Sequence, residues 1–99
     1  MKPYRFLAEA RSEFEEQVAY FDEQLTGLGD RFIQDVEASI RTIRKHPESG
    51  APVSRNVRKK VLRAFPFNIF YAATSDEVII VAVAAHRRRP RYWRSRIKL

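Results

Sequence analysis

The chain has 99 residues, room for a single domain spanning 1–99 with one modest core. Hydrophobic residues make up 44%, including seven Phe, four Tyr and one Trp, and there are only three Gly, so a packed domain is expected and disorder is not. No cysteine is present, which excludes disulfides, thiolate catalysis and Cys-based zinc sites, and the net charge of +7 points to acidic partners.

The first element is "YRFLA" (4–8), read as a short strand. The period then changes. Ala10, Phe14, Val18, Phe21 and Leu25 recur at three- and four-residue intervals among glutamates, which predicts an amphipathic helix with Glu9 near its positive end. Gly27 suits the position just past that helix, where a positive φ is cheap. A second helix follows, with Leu28, Phe32, Val36, Ile40 and Ile43 on one face. Lys45 and His46 occupy its last turn and Pro47 closes it. The short "TGLG" link makes the pair an antiparallel helical hairpin, and the helical spacing of Phe14, Phe21 and Phe32 assigns them to its interface.

"PESGAPVSRN" (47–56) is turn-forming throughout. Three strands are then expected: "VRKKVLRAF" (57–65), "FNIFYAAT" (67–74) and "EVIIVAVAA" (77–85), the last two joined through "SD". The basic first of them reads as an edge strand, whose charge also discourages edge-to-edge association. The apolar 78–85 run reads as a central strand covered on both faces. At eight residues it is far short of the roughly 20 a membrane helix needs, so no membrane association and a cytoplasmic location are expected. The order is β-α-α-β-β-β: an α+β domain in which a helical hairpin packs on a three-stranded antiparallel sheet.

Charge divides along the chain. Residues 1–50 carry seven Lys/Arg against ten Asp/Glu, a net of −3, and residues 51–99 carry twelve against two, a net of +10. The densest stretch is "HRRRPRYW" (86–93). Pro90 suits the first turn of a short C-terminal helix, after which Tyr92, Trp93 and Ile97 can pack against the sheet. Leaving those aromatics in water would forfeit about 1.5–3 kcal/mol for each large side chain, so the arginines are expected at a defined position and not on a loose tail.

In this order of elements, "YRFLAEARSEFEEQVAYF", "GLGDRFIQDVEASIRTIRKHPESGAPV" and "RAFPFNIFYAATSDEVIIVAVAAHRRRPRYW" together resemble the RelE/ParE superfamily of type II toxins, and the ParE-like branch in particular. The resemblance implies a toxin neutralised by a cognate antitoxin, whose amphipathic helix docks in the groove between hairpin and sheet. ParE-like members poison DNA gyrase, as protein-binding inhibitors without covalent chemistry of their own. RelE-like members cleave messenger RNA in the ribosome. A third reading is a non-toxic basic nucleic-acid-binding module.

Metal-independent RNA cleavage needs a base, an acid and cations around the phosphorane. The candidates are Arg63, His86, Arg87, Arg89 and Tyr92, with Tyr71 a further tyrosine that could face such a site. Two departures count against it. Asn68 stands where the RelE-like strand often carries arginine, and Trp93 falls at or beside the terminal tyrosine's place. Neither an amide nor an indole supplies the missing charge or proton. As a target-binding surface the candidates are Arg58, Lys60, Arg63, Arg87, Arg88, Arg89, Arg91 and Arg94. His46 and His86 sit at the ends of a helix and a strand, which suits helix capping and local hydrogen bonding better than a two-histidine metal site. There is no Gly-rich phosphate loop and no nucleophile elbow, so no metal or nucleotide cofactor is indicated.

Overall fold

The computed structural model describes residues 1–97; Lys98 and Leu99, the end of the basic C-terminal stretch, lie outside the described residues. The expected order holds, with shorter elements. Strand β1 is Tyr4–Phe6, helix α1 Ala8–Gln24 and helix α2 Leu28–Lys45. A 3₁₀ turn (Pro47–Ser49) leads to a two-residue strand β2, Ala51–Pro52, and then to β3 (Arg58–Val61), β4 (Phe67–Ala73) and β5 (Val78–Ala85). A second 3₁₀ turn, Arg94–Arg96, supplies the expected C-terminal helical turn, four residues beyond Pro90.

The sheet has five strands in the order β1-β5-β4-β3-β2 and is mixed, not purely antiparallel. β1 runs parallel to β5, with Tyr4, Arg5 and Phe6 opposite Val78, Ile79 and Ile80. The helical hairpin is the crossover that returns the chain in the same direction, as a parallel pair requires. β5 is therefore central, but β3 is not the edge: β2 pairs with it through Ala51–Lys59 and Pro52–Arg58.

α2 buries the stripe its period predicts. Phe32, Val36, Ile40 and Ile43 are buried together with Ile69, Tyr71, Val78 and Ile80 from the sheet. Phe14 and Phe21 of α1 lean on Phe32, with ring centroids 6.0 Å and 5.2 Å from it, and Phe65 and Phe67 close the same aromatic cluster. Leu25 departs from its expected stripe. It lies in the turn after α1 and is largely exposed, its N–H returning to the Phe21 carbonyl.

Gly27, at φ +91°, precedes α2 as its N-cap instead of ending α1. Gly29 has a different role. Its N–H donates to the Asp22 carboxylate at 2.8 Å, and a Cβ there would sit 2.7 Å from both that carboxylate and the Val18 carbonyl oxygen. The close approach of the two helices at "GLGDRF" thus requires the hydrogen of glycine. Gly29→Ala should destabilise the domain: overpacking of about 1–3 kcal/mol outweighs the roughly 1 kcal/mol that alanine gains in helix propensity. Thermal unfolding checks it, and an unchanged or higher Tm would contradict so tight a crossing.

The opposite face of the sheet carries a second, smaller core. Ala72, Val81 and Ala82 pack there with Val57 and Trp93, flanked by Phe70, Tyr92 and Ile97. The C-terminal segment is therefore a third layer across the sheet. A register shift between Phe70 and Tyr71 pairs Phe70 with Ala82 but Tyr71 with Ile80, leaving Val81 as the extra residue of a bulge. Both Val81 and Ala82 consequently serve the C-terminal side.

Candidate functional site at the end of β5

His86 follows the last residue of β5, and two bonds fix it there. Its N–H donates to the Pro66 carbonyl at 3.0 Å, and its Nε2 lies 3.2 Å from the Phe67 carbonyl. The chain then folds back in successive turns, with N–H groups of Arg88, Tyr92, Arg94 and Arg96 donating to carbonyls three residues earlier. Arg91 sits at φ +61°, a left-handed conformation uncommon for a residue with a side chain. Trp93 is only 2% exposed, and its indole lies 5.2 Å from the Phe70 ring, centroid to centroid. The "RRRPRYW" arginines are thus displayed from a packed segment, as its aromatic content predicts.

Between these turns and the sheet lies a cleft of about 310 Å³. Its lining includes Lys59 from β3, Asn68 and Phe70 from β4, His86, and Arg88, Arg89 and Arg91 from the turns. Asn68 is 8% exposed, and its Oδ1, like the Trp93 Nε1–H, has no hydrogen-bond partner among the described residues. A second, more open groove of about 640 Å³ lies on the helix side of the β5 end, where Tyr20 and Phe21 of α1 face Phe65, Pro66 and Arg87.

The sequence candidates separate under this geometry. His86, Arg88, Arg89, Arg91 and Tyr92 line the cleft; Arg87 lines the helix-side groove, and Arg94 faces a shallow depression beside Asn56 and Ile97. Arg63 lies beyond β3, in the loop before β4, and does not line the cleft. That loop is held by the buried Asp35 carboxylate of α2, which accepts the N–H groups of Arg63, Ala64 and Phe65 at 3.3, 2.9 and 3.1 Å.

Strand alternation redistributes the basic residues of β3. Arg58 and Lys60 pair with Tyr71 and Ile69, whose side chains belong to the helix-side core, so Lys59 is the cation of β3 that reaches the cleft. Arg58 is further committed to structure, donating to the carbonyls of Glu48 (3.2 Å) and Gly50 (2.8 Å). Tyr71 does not face the cleft: it is fully buried on the helix side, its hydroxyl donating to the Pro47 carbonyl at 2.6 Å and accepting from the Gly50 N–H at 2.9 Å.

Tyr92 is held by Glu13 of α1, a residue that charge patterning alone assigns to solvent. The Glu13 carboxylate accepts the Tyr92 hydroxyl at 2.6 Å, both terminal nitrogens of Arg96 at 2.8 Å and the Val83 N–H at 3.0 Å. Arg96 also donates to the Val81 carbonyl at 3.1 Å. β1 stops after pairing with Ile80, so these two charged side chains satisfy the edge of β5 beyond it. The guanidiniums of Arg88 and Arg96 lie over the Tyr92 ring, 3.9 and 4.9 Å from its centroid. Burial, and then the bond and charge of Glu13, push the Tyr92 phenol well above its ordinary value. At neutral pH it is a neutral hydrogen-bond donor already in use.

Chemically, the surface offers fixed positive charge around a half-open cleft. Among the described residues no three His, Cys, Asp or Glu side chains converge as a metal site would need, and no helix is long and apolar enough to cross a membrane.

None of the curated protein sequences matches the chain. A solved chain from the "Chromosomal ParDE TA system from P. aeruginosa" superposes with a TM-score of 0.73 at 15% identity, covering 86% of this chain and 96% of that one, a likeness of fold. The family model described as ParE toxin of type II toxin-antitoxin system, parDE, matches residues 4–90, from the first strand through Pro90. The chain therefore belongs to the ParE toxin family of type II toxin-antitoxin systems.

Proposed function

We propose that this ParE-family chain inhibits DNA gyrase by binding it, and that a cognate antitoxin holds it in check. The observation that carries the reading is the state of the C-terminal segment. Its arginines stand on a packed scaffold, while the acid–base candidates RNA cleavage would require, His86 and Tyr92, are engaged in hydrogen bonds. The Tyr92 hydroxyl is bound to Glu13, and a neutral amide, Asn68, occupies the strand position where a cation would be needed. Arg88, Arg89, Arg91 and Arg94 form the target-facing surface, with Arg87 at its boundary. Fixed cations favour fast, oriented encounter with an acidic protein, without making or breaking bonds.

The antitoxin occupies the helix-side groove in this reading. Tyr20, 53% exposed, is an aromatic anchor that a free chain gains little by displaying, and Phe65 and Pro66 extend the apolar surface opposite it. An amphipathic helix would bury these three and place acidic residues against Arg87.

Expression in a bacterial host tests the proposal. Growth should stop, plasmid DNA taken from arrested cells should have lost negative supercoiling, and co-expression of the antitoxin encoded beside the gene should restore both. Arrest with normally supercoiled plasmid and cut messages would overturn it in favour of ribosome-dependent cleavage. Unimpaired growth would overturn it in favour of an inert binding module.

A further inference from the structure

Two residues that line the cleft on the C-terminal face each carry a buried polar atom with no partner among the described residues. Asn68 Oδ1 needs a donor, and the Trp93 indole N–H needs an acceptor. Leaving such groups unmet in a protein interior costs about 1–3 kcal/mol each, and both residues line one cleft. A third irregularity adjoins them: Arg91, at φ +61°, holds the turn that brings Arg89 and Arg91 to the cleft. Strained backbone of this kind persists where the surrounding structure over-determines it, and it clusters at binding sites.

We infer that this cleft is a binding site for an extended acidic segment of a partner protein. An extended residue presents its own N–H and C=O, the two complements, on one edge of the chain. Its N–H can donate to Asn68 Oδ1 and its carbonyl can accept from the Trp93 Nε1–H. Carboxylates on neighbouring residues then meet Lys59, Arg88, Arg89 and Arg91, the last of which also donates to the Val53 carbonyl at 3.5 Å. No carboxylate among the described residues lines the cleft.

Nucleic acid fits less well. Recognition of unpaired bases relies on free aromatic faces for stacking. Here the Tyr92 ring already lies under two guanidiniums, and Trp93 is 2% exposed against Phe70. The site accordingly offers hydrogen bonds and charge in a half-open cleft, with no free tyrosine or tryptophan face for a base. It does not depend on gyrase being the toxin's target, so the supercoiling tests and the test of this cleft can fail separately.

The chain has one tryptophan, so its indole N–H gives a single, assigned reporter in a ¹⁵N-labelled sample. The full-length protein is titrated with the capped peptide acetyl-Asp-Glu-Asp-Glu-amide, and in parallel with a four-nucleotide RNA of uridine. The peptide should move the Trp93 indole peak saturably. Asn68→Leu should weaken its binding about ten-fold, the scale of one hydrogen bond to a buried group. Asn68→Asp, nearly the same size, should weaken it at least as much by charge repulsion, and it serves if the leucine variant does not fold. Arg41→Ala, on the exposed face of α2 and outside the cleft, should bind within about two-fold of the parent. An indole peak unmoved by the peptide, equal binding by the Asn68 variants, or an indole that responds to the RNA and not to the peptide would each overturn the inference.

Discussion

Trp93→Ala should cost about 3–5 kcal/mol, the range for removing a fully buried aromatic side chain. Against a total stability of about 5–15 kcal/mol, that is a large fraction for a domain of this size. At about 4–8 °C per kcal/mol, the melting temperature should fall by at least roughly 12 °C. The cause is specific: Trp93 is the centre of the second core, packed on Phe70 and grouped with Val57, Ala72, Val81 and Ala82. Without it the third layer has Tyr92 and Ile97, both only half-buried, to hold it to the sheet. Trp93→Phe keeps an aromatic ring against Phe70 and loses no hydrogen bond among the described residues, where the indole N–H makes none, so it should cost less than half as much. Differential scanning calorimetry distinguishes the cases. A shift of under about 2 °C for Trp93→Ala would mean that the C-terminal segment does not carry the core described.

Glu13→Ala is the second large effect. The substitution removes the acceptor of the Tyr92 hydroxyl and the Val83 N–H and leaves the Arg96 guanidinium with the Val81 carbonyl alone. Both side chains of the ion pair are only 14% exposed, a degree of burial at which losing one partner costs about 3–5 kcal/mol. Its pH dependence separates charge from shape. Burial raises the Glu13 pKa, but the bonds from Arg96, Tyr92 and the Val83 N–H outweigh it and hold the carboxyl below its ordinary 4.5. A depressed carboxyl pKa contributes stability that is present above 4.5 and is lost as pH falls through the lower folded value. Tyr92 is shifted the other way, so its contribution is present below 10.0 and is lost only as pH rises beyond that. Urea unfolding of the wild type and Glu13→Gln should therefore differ most at neutral pH, and the gap should narrow below pH 4.5. A gap that is constant down to pH 3 would contradict the ionised pair.

The features legible in the sequence are those set by local period. The Phe32, Val36, Ile40, Ile43 stripe, the apolar central strand and the packing of Trp93 follow from spacing and from the cost of exposing aromatics. What stayed hidden depends on contacts distant along the chain. β1 is three residues long and pairs parallel to a strand more than 70 residues away, which no local pattern encodes. Glu13 reads as one more solvated glutamate until the C-terminal turns bring Arg96 to it. On β3 the difficulty is register: a one-residue slip exchanges the two faces of a strand. The run "RKK" does not reveal that Lys59, and not Lys60, faces the cleft. Pairing with Phe70 of β4 decides it. Asn68 and Trp93 stood out in the sequence as departures from a cleavage site. The fold brings both to one cleft and leaves a buried polar atom of each without a partner.

The central claim, inhibition of gyrase through a fixed cationic surface, is tested most directly in a supercoiling reaction with purified gyrase and relaxed plasmid. The account predicts that the toxin suppresses ATP-dependent supercoiling in proportion to dose and that linear DNA accumulates once trapped complexes are denatured. The triple variant Arg88→Ala, Arg89→Ala, Arg91→Ala should remain folded and lose about ten-fold or more in potency. Full supercoiling at a stoichiometric excess of toxin, while the same preparation cuts messages on translating ribosomes, would contradict it.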